Sequence, residues 1–325
     1  MKEFFSKLKE KLKKFGSKSK TGFSAFWAKA KIWFKNLIPN IKNWFKNKFK
    51  PKVKELAKKY CTKKNLTIAG VIVLIPILVF TSIKVVDFAR TAYLRPYIEK
   101  YKIEFPEGIR EEMCDAYGLD QTIRGKIEIE DFNSTIYVSK ILKDNKAFLE
   151  NDADIKKDQH FRAIRLNDKA ADIESLYSTD KLYLKSSQSI KFTTLFEEEQ
   201  YRVIAAYYIN TNPDDDGGYV YPYNFCGNMS EKDFNSFEDR VSHRTLYFTD
   251  YEYNYEDYFL SISAPSDFME DFRFVIVCVK TDRKGFDKCK KATPNEKIFF
   301  PQVWYDKNKE ENPYRFAGKW IPKGI

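Results

Sequence analysis

The stretch NLTIAGVIVLIPILVFTSIKVV, residues 65–86, carries no charge until Lys84. A run of about 20 apolar residues, rising about 1.5 Å each, matches a bilayer core of about 30 Å, and a lysine near its end can reach the headgroups. A single transmembrane helix over residues 65–87 is predicted. Pro76 would kink it, which a membrane helix tolerates where neighbours or water satisfy the freed carbonyl. A buried core helix is seldom so long and so uniformly apolar. A cleaved signal peptide would not have more than sixty residues ahead of it, and no small-residue cleavage site follows.

Charge divides the chain at the same place. Residues 1–64 hold 21 lysines, no arginine and three glutamates, a net of +18, whereas the remainder holds 36 basic and 43 acidic residues, a net of −7. Flanking positive charge stays cytoplasmic, so residues 1–64 are expected inside and residue 88 onward outside, a single-pass cell-membrane protein with an extracytoplasmic body. In the tail, MKEFFSKLKEKLKKF sets Phe4, Phe5, Leu8, Leu12 and Phe15 at helical spacing among lysines, and the mixture recurs up to Pro39 and Pro51. Such basic amphipathic helices suit anionic inner-leaflet lipids, with about 1 kcal/mol from each lysine near the surface. Nucleic acid is the competing partner for so basic a segment. It is not expected here, because the tail is tethered beside a membrane and rich in apolar faces; a cytoplasmic docking partner is a further alternative.

Residues 88–104, including RTAYLRPYIEKYKIE, read as a helical stalk, and 105–325 as the folded extracytoplasmic domain. With 43% apolar and 17% aromatic residues, the 325-residue chain can bury a sizeable core. PEGIREEMCDAYGL reads as a helix. GKIEIEDFNSTIYVSKIL alternates as strands, and DQHFRAIRL reads as another. SIKFTTLFEEEQYRVIAAYYINT reads as two long strands joined at Glu197 to Gln200. A helix over MSEKDFNSFEDRVSHR starts at a Ser230 cap, and YFLSISAP and RFVIVCVKTD follow as strands. Many strands, a few helices and few glycine turns predict a mainly β fold, a closed barrel with flanking helices. Cys114, Cys226, Cys278 and Cys289 fall outside, where oxidation is allowed, and four cysteines leave three pairings open. No CxxC or His-rich spacing points to a metal, and no cofactor is expected; the chain has two histidines, His160 and His243.

The order of these stretches, over roughly 105–280, resembles the class B sortases, the cysteine transpeptidases that anchor proteins to Gram-positive cell walls. FPEGIREEMCDAYGLDQTIRGKIEIEDFNSTIYVSKILKDNKAFLE is similar to the family's opening helix and its Gly-Trp-Ile-x-Ile and Pro-Val-Val-Gln strands. SIKFTTLFEEEQYRVIAAYYI is similar to its paired strands, and SEKDFNSFEDRVSHRTLY to the helix before the catalytic strand. The resemblance implies a sortase-like barrel behind the membrane helix and basic tail.

It also implies a loss. The family's catalytic strand runs Leu-Thr-Leu-Ser-Thr-Cys, followed eight residues later by an arginine opening Arg-Phe-Val-Val. LSISAP matches without gaps, and Arg273 falls eight residues after Pro265, so proline stands in the nucleophile's place. Proline has neither a nucleophile nor a backbone donor, and Ser263 or Ser266 without an adjacent base would be a poor substitute. The family's histidine belongs to a Tyr-Gly-His loop; here Lys185 and Ser186 in LYSTDKLYLKSSQS come nearest to that place, and His160 and His243 suit surface or capping roles. Arg273 is the surviving member of the set, for oxyanion stabilisation or for pairing with Asp267 or Glu270. Cys278, five residues further along the same strand, is expected to face the core, with displaced nucleophile as the alternative.

The resemblance therefore implies a membrane-anchored, catalytically inactive sortase-like protein. It would act as a cell-surface binding or scaffold module for a surface protein or sorting-signal peptide, serving pilus, secretion or conjugation machinery. An active divergent cysteine transpeptidase using Cys226, Cys278 or Cys289 is the first alternative, and a sensor signalling through the tail the second. NTNPDDDGGYVYPYNF is expected to form a loop near the groove.

Overall fold

Strict alternation makes the first strands. In β1, Ile123–Ile129, every second residue is buried, and β2, Ser134–Ser139, returns antiparallel to it. A single helical turn, Glu130–Phe132, ends at Asn133 with φ 46°, a left-handed position that asparagine tolerates better than most residues. The computed structural model from which this fold is read describes residues 91–141, 146–150, 159–167, 172–281 and 287–322. The basic tail 1–64, the apolar segment 65–87 and residues 88–90 lie outside these. Among the described residues no helix is long and apolar enough to cross a membrane.

β3, Ala147–Leu149, and β4, Phe161–Leu166, follow; then α3, Ile173–Tyr177, and α4, Asp180–Lys185. β5, Ser189–Thr194, and β6, Glu198–Asn210, form a hairpin. Its turn lies at 195–197 rather than over the expected Glu197 to Gln200. The Thr194 hydroxyl accepts from the amides of Phe196 and Glu197 and fixes a tighter turn, so Glu198 to Gln200 join the ladder. After α5, Glu231–Arg244, come β7, Tyr247–Thr249, then β8, Phe259–Pro265, and β9, Phe272–Thr281. β10, Ala292–Pro294, pairs with β7, and α6 spans Gln302–Asn308.

Eight strands close into a barrel in the order β1-β2-β3-β4-β8-β9-β6-β5, with β5 returning to β1. Two neighbouring pairs, β2–β3 and β4–β8, are parallel; the rest are antiparallel. Alternation sorts the side chains into two cores. Leu260, Ile262, Ala264, Phe274, Ile276 and Cys278 face the interior with Ile127, Ile164 and Tyr201. Phe259, Val275, Val277 and Val279 face outward and are covered by α5. That helix begins where Ser230 accepts the Asp233 amide at 3.2 Å, and it turns Phe234, Phe237 and Val241 inward at helical spacing.

Two segments extend the body. The described part of the expected stalk contains α1, Arg95–Tyr101, which stops at Lys102 in the left-handed region. It does not stand off as a spacer. Leu94 is buried with Ile109, Met113, Cys114 and Ile123, the Tyr93 hydroxyl donates to the Ile109 carbonyl, and Tyr97 and Tyr101 meet Phe105 edge-on. α2, Cys114–Leu119, matches the helix read in PEGIREEMCDAYGL. At the other end, the C-terminal segment runs from Lys288 and Cys289 beside Ser186 and Gln188, through β10, to Trp320, which packs against Tyr221 and against Phe237 of α5. The four described cysteines are free thiols.

Candidate functional site

β8 ends at Pro265, which opposes Arg273 across the β8–β9 ladder. The eight-residue spacing is thus a register: a short connection returns the chain so that the two lie side by side. Both belong to the outward set, because the intervening inward residues are Ala264 and Phe274. The next residues on this face are Ser263, which opposes Val275, and Arg165 on β4, which opposes Ser263; Phe148 on β3 opposes Arg165. One patch of the outer face, at the carboxyl ends of the parallel strands β4 and β8, therefore carries Arg165, Ser263, Pro265 and Arg273, with Glu150 just past the end of β3.

Arg273 is only 7% exposed. Its Nη2 donates to the Leu166 carbonyl at 2.6 Å and the Ser263 carbonyl at 2.9 Å, and its Nε to the Ser263 hydroxyl at 3.2 Å. The arginine thereby clasps the ends of β4 and β8 together. All these partners are neutral oxygens, so neither Asp267 nor Glu270 takes the role expected for an acid. Burial pulls the guanidinium below its ordinary value, Arg165 pulls the same way, and Tyr223 and Glu150 oppose.

The segment after the acidic turn Pro213–Asp216 forms a wall over this patch, as expected for the aromatic loop. Gly227 and Phe161 exchange two backbone hydrogen bonds of 2.9 Å, and the Cys226 thiol contacts the Glu150 carbonyl at 3.5 Å. Tyr223 and Asn224 stand near Glu150, whose Oε1 is buried without a partner. Burial raises the Glu150 carboxyl above its ordinary value, against the pull of Arg165, Asn224 and Arg273.

Among the described residues, the hydroxyls and thiols near the patch are hydrogen-bonded or buried. Ser263 is engaged by Arg273, and the Ser266 hydroxyl accepts the Phe268 amide at 3.0 Å. Cys278 points into the barrel, is fully buried, and burial raises its thiol above the thiol range. Cys226 borders the patch, but burial pushes its thiol up to about 12, where almost none is thiolate at neutral pH.

Neither histidine is nearby. His160 precedes β4 and sits between the rings of Tyr255 and Tyr258, at centroid distances of 5.5 and 5.4 Å. Parallel pairing of Phe161 with Phe259 puts it at the opposite end of the strands, about 20 Å from Pro265 at roughly 3.3 Å per residue. His243 lies in the last turn of α5, where Nδ1 is 2.7 Å from the Asp239 carbonyl. Lys185 and Ser186 also belong elsewhere: Lys185 is exposed at the end of α4, the Ser186 hydroxyl donates to Tyr183, and its carbonyl accepts Lys288. The residues beside Arg273 come instead from the end of β4, because parallel pairing with β8 carries Leu166 there.

Sequence reasoning missed Glu150 and Arg165, which reach the patch only through β3–β4–β8 pairing. A pocket lies between the end of β6, the end of α5 and the C-terminal segment, lined among others by Ile209, Tyr221 and Phe299. Arg244 occupies it, between the rings of Tyr221 and Phe299 at 4.3 Å each, which marks it as internal cation–π contact.

No family model and no curated protein matches the chain. Among solved structures it is similar to sortase B of Bacillus anthracis in complex with AAEK2, at 18% identity and a TM-score of 0.45 over 56% of this chain and 88% of that one. A Staphylococcus aureus sortase B–substrate complex aligns at 16% identity and 0.45, over 62% and 98%. Clostridium perfringens sortase B aligns at 12% and 0.44, over 52% and 98%. At these identities the likeness is one of fold alone.

Proposed function

We propose that this chain is a membrane-anchored, non-catalytic sortase-like protein whose outer-face groove, at the ends of β4 and β8, binds an extended peptide at the cell surface. The observation that carries the reading is the pairing of Pro265 with Arg273. Pro265 has no reactive side-chain atom and stands beside Arg273, and by the resemblance its place would be the nucleophile's. Supporting it, Ser263 is already bonded and both histidines have other partners. A peptide laid along the exposed edge of the patch needs no covalent step to bind.

Anchoring rests on the apolar segment 65–86 and the lysine-rich tail, and so do the cytoplasmic N-terminus and the contact with anionic lipids. The partner class, a sorting-signal peptide or a surface protein of pilus, secretion or conjugation machinery, follows from the resemblance. One observation favours a second reading, an active transpeptidase with a relocated nucleophile: Cys226 borders the groove. Its raised thiol and its contact with the Glu150 carbonyl argue against it.

Binding is tested by replacing Tyr223 of the full chain, in detergent, with a photoreactive phenylalanine and adding sorting-signal peptides. A light-dependent adduct carrying one peptide per protein is expected, and competition by unlabelled peptide should abolish it. An adduct pattern identical to that of a photoprobe outside the patch, at the exposed Tyr137 of β2, would contradict the groove.

A further inference from the structure

Among the described residues the two arginines of the patch form no salt bridge. Arg273 is 7% exposed, yet its hydrogen bonds end on the Leu166 and Ser263 carbonyls and the Ser263 hydroxyl. Arg165, half-buried on β4 two strands away on the same face, leaves its Nε without a partner, and the Arg273 guanidinium reaches across β8 to the Leu166 carbonyl next to it in the chain. A buried charge is costly unless paired, and a guanidinium recovers most when it meets a planar anion along two parallel N–H bonds. Among the described residues Glu150 stands near both arginines, yet its Oε1 has no hydrogen-bond partner and burial raises its carboxyl above the ordinary value.

We infer that Arg165 and Arg273 together hold a carboxylate borne by the bound peptide. Two strand spacings of about 5 Å each separate their backbones, but the Arg273 side chain crosses β8 to the end of β4, which brings its guanidinium toward Arg165, where one carboxylate can meet both. Pro265 borders this point and brings no N–H to compete for the anion. The inference rests on the peptide-groove reading and adds the ligand's chemistry: the group recognised is an anion, where a transpeptidase would engage an internal amide. A free terminal carboxylate and an acidic side chain are the two sources of that group.

The test is equilibrium dialysis of the full chain in detergent against acetylated heptapeptides of randomised sequence, read by mass spectrometry. One set has free terminal carboxylates, a second is the matching carboxamides without acidic residues, and a third is carboxamides carrying one glutamate. Charge-assisted hydrogen bonds predict that a carboxylate-bearing set is retained at least about tenfold over the neutral carboxamides. Arg165→Gln should cut that preference to about twofold. Should Arg165→Gln fail to fold, judged by its melting curve, Arg165→Lys replaces it, with partial loss expected as charge is kept without the planar fork.

Enrichment of the free acids identifies the terminal carboxylate, and enrichment of the glutamate set identifies an acidic side chain; both support the inference. Equal retention of charged and neutral sets, or a preference that survives Arg165→Gln, overturns it while the groove stands. Retention of no set removes the groove and the inference together.

Discussion

Pro265→Cys in the full chain should react with iodoacetamide at pH 8 about a thousandfold faster than Cys226 in the same molecule. The new thiol would stand on the half-exposed outer face, where an ordinary cysteine with a pKa of about 8.5 is roughly one-quarter thiolate. Cys226 is pushed up to about 12, which leaves on the order of one part in ten thousand ionised. Cys278 should be slower still, since its thiol is fully buried inside the barrel. Peptide mapping after timed labelling gives each rate, with protein unfolded in guanidinium as the reference in which all sites react alike. Comparable labelling of Cys226 and the new cysteine would show that the groove wall does not bury its thiol. The added thiol should not confer peptide transfer, because the imidazoles stay with Tyr255 and Tyr258 at one end of the sheet and on the Asp239 carbonyl in α5.

A second large effect lies inside the barrel, at the end away from Arg273. Glu199, 3% exposed, accepts from Arg162 at 2.6 Å, from Lys280 at 2.8 Å and from the Tyr201 hydroxyl at 2.9 Å. These residues tie β4, β6 and β9 into one layer, and β4 carries Arg165 at its other end. Glu199→Leu strands the Arg162 charge, itself 6% exposed, which costs about 3–5 kcal/mol. The melting temperature should fall by about 10 °C at a few degrees per kcal/mol. The double variant Arg162→Met with Glu199→Leu should recover most of that loss, since a hydrophobic pair of similar volume removes the unpaired charge. A fall of under about 2 °C in Glu199→Leu, or no recovery in the double variant, would mean that water already reaches the cluster.

Local patterns carried much of this fold into the sequence. The alternation of β1 and β2, the Ser230 cap of α5 and the eight-residue interval between Pro265 and Arg273 all depend on near neighbours. The interval is legible because β8 and β9 are consecutive, so their register follows from a short connection. Arg165 and Glu150 could not be read this way. They reach Ser263 only because β4 pairs in parallel with β8, almost a hundred residues later, and β3 pairs with β4. The same long-range pairing explains why Lys185 and Ser186, nearest in order to the expected histidine loop, lie with α4 and Lys288, while Leu166 meets Arg273. The buried Arg162–Glu199–Lys280 cluster was hidden for a related reason: in sequence, each of these residues looks like the polar face of an ordinary half-exposed strand.

The most direct test of the central claim is the fate of the peptide. Full chain in detergent is incubated with sorting-signal peptides and an amine acceptor, beside a variant in which Cys114, Cys226, Cys278 and Cys289 are all serine, and the peptides are followed by mass spectrometry. The account predicts peptides that are bound by both proteins and cleaved by neither. Cleavage or acceptor-linked product formed by the parent chain and absent from the variant would contradict it, and would mean that one of these thiols is a working nucleophile.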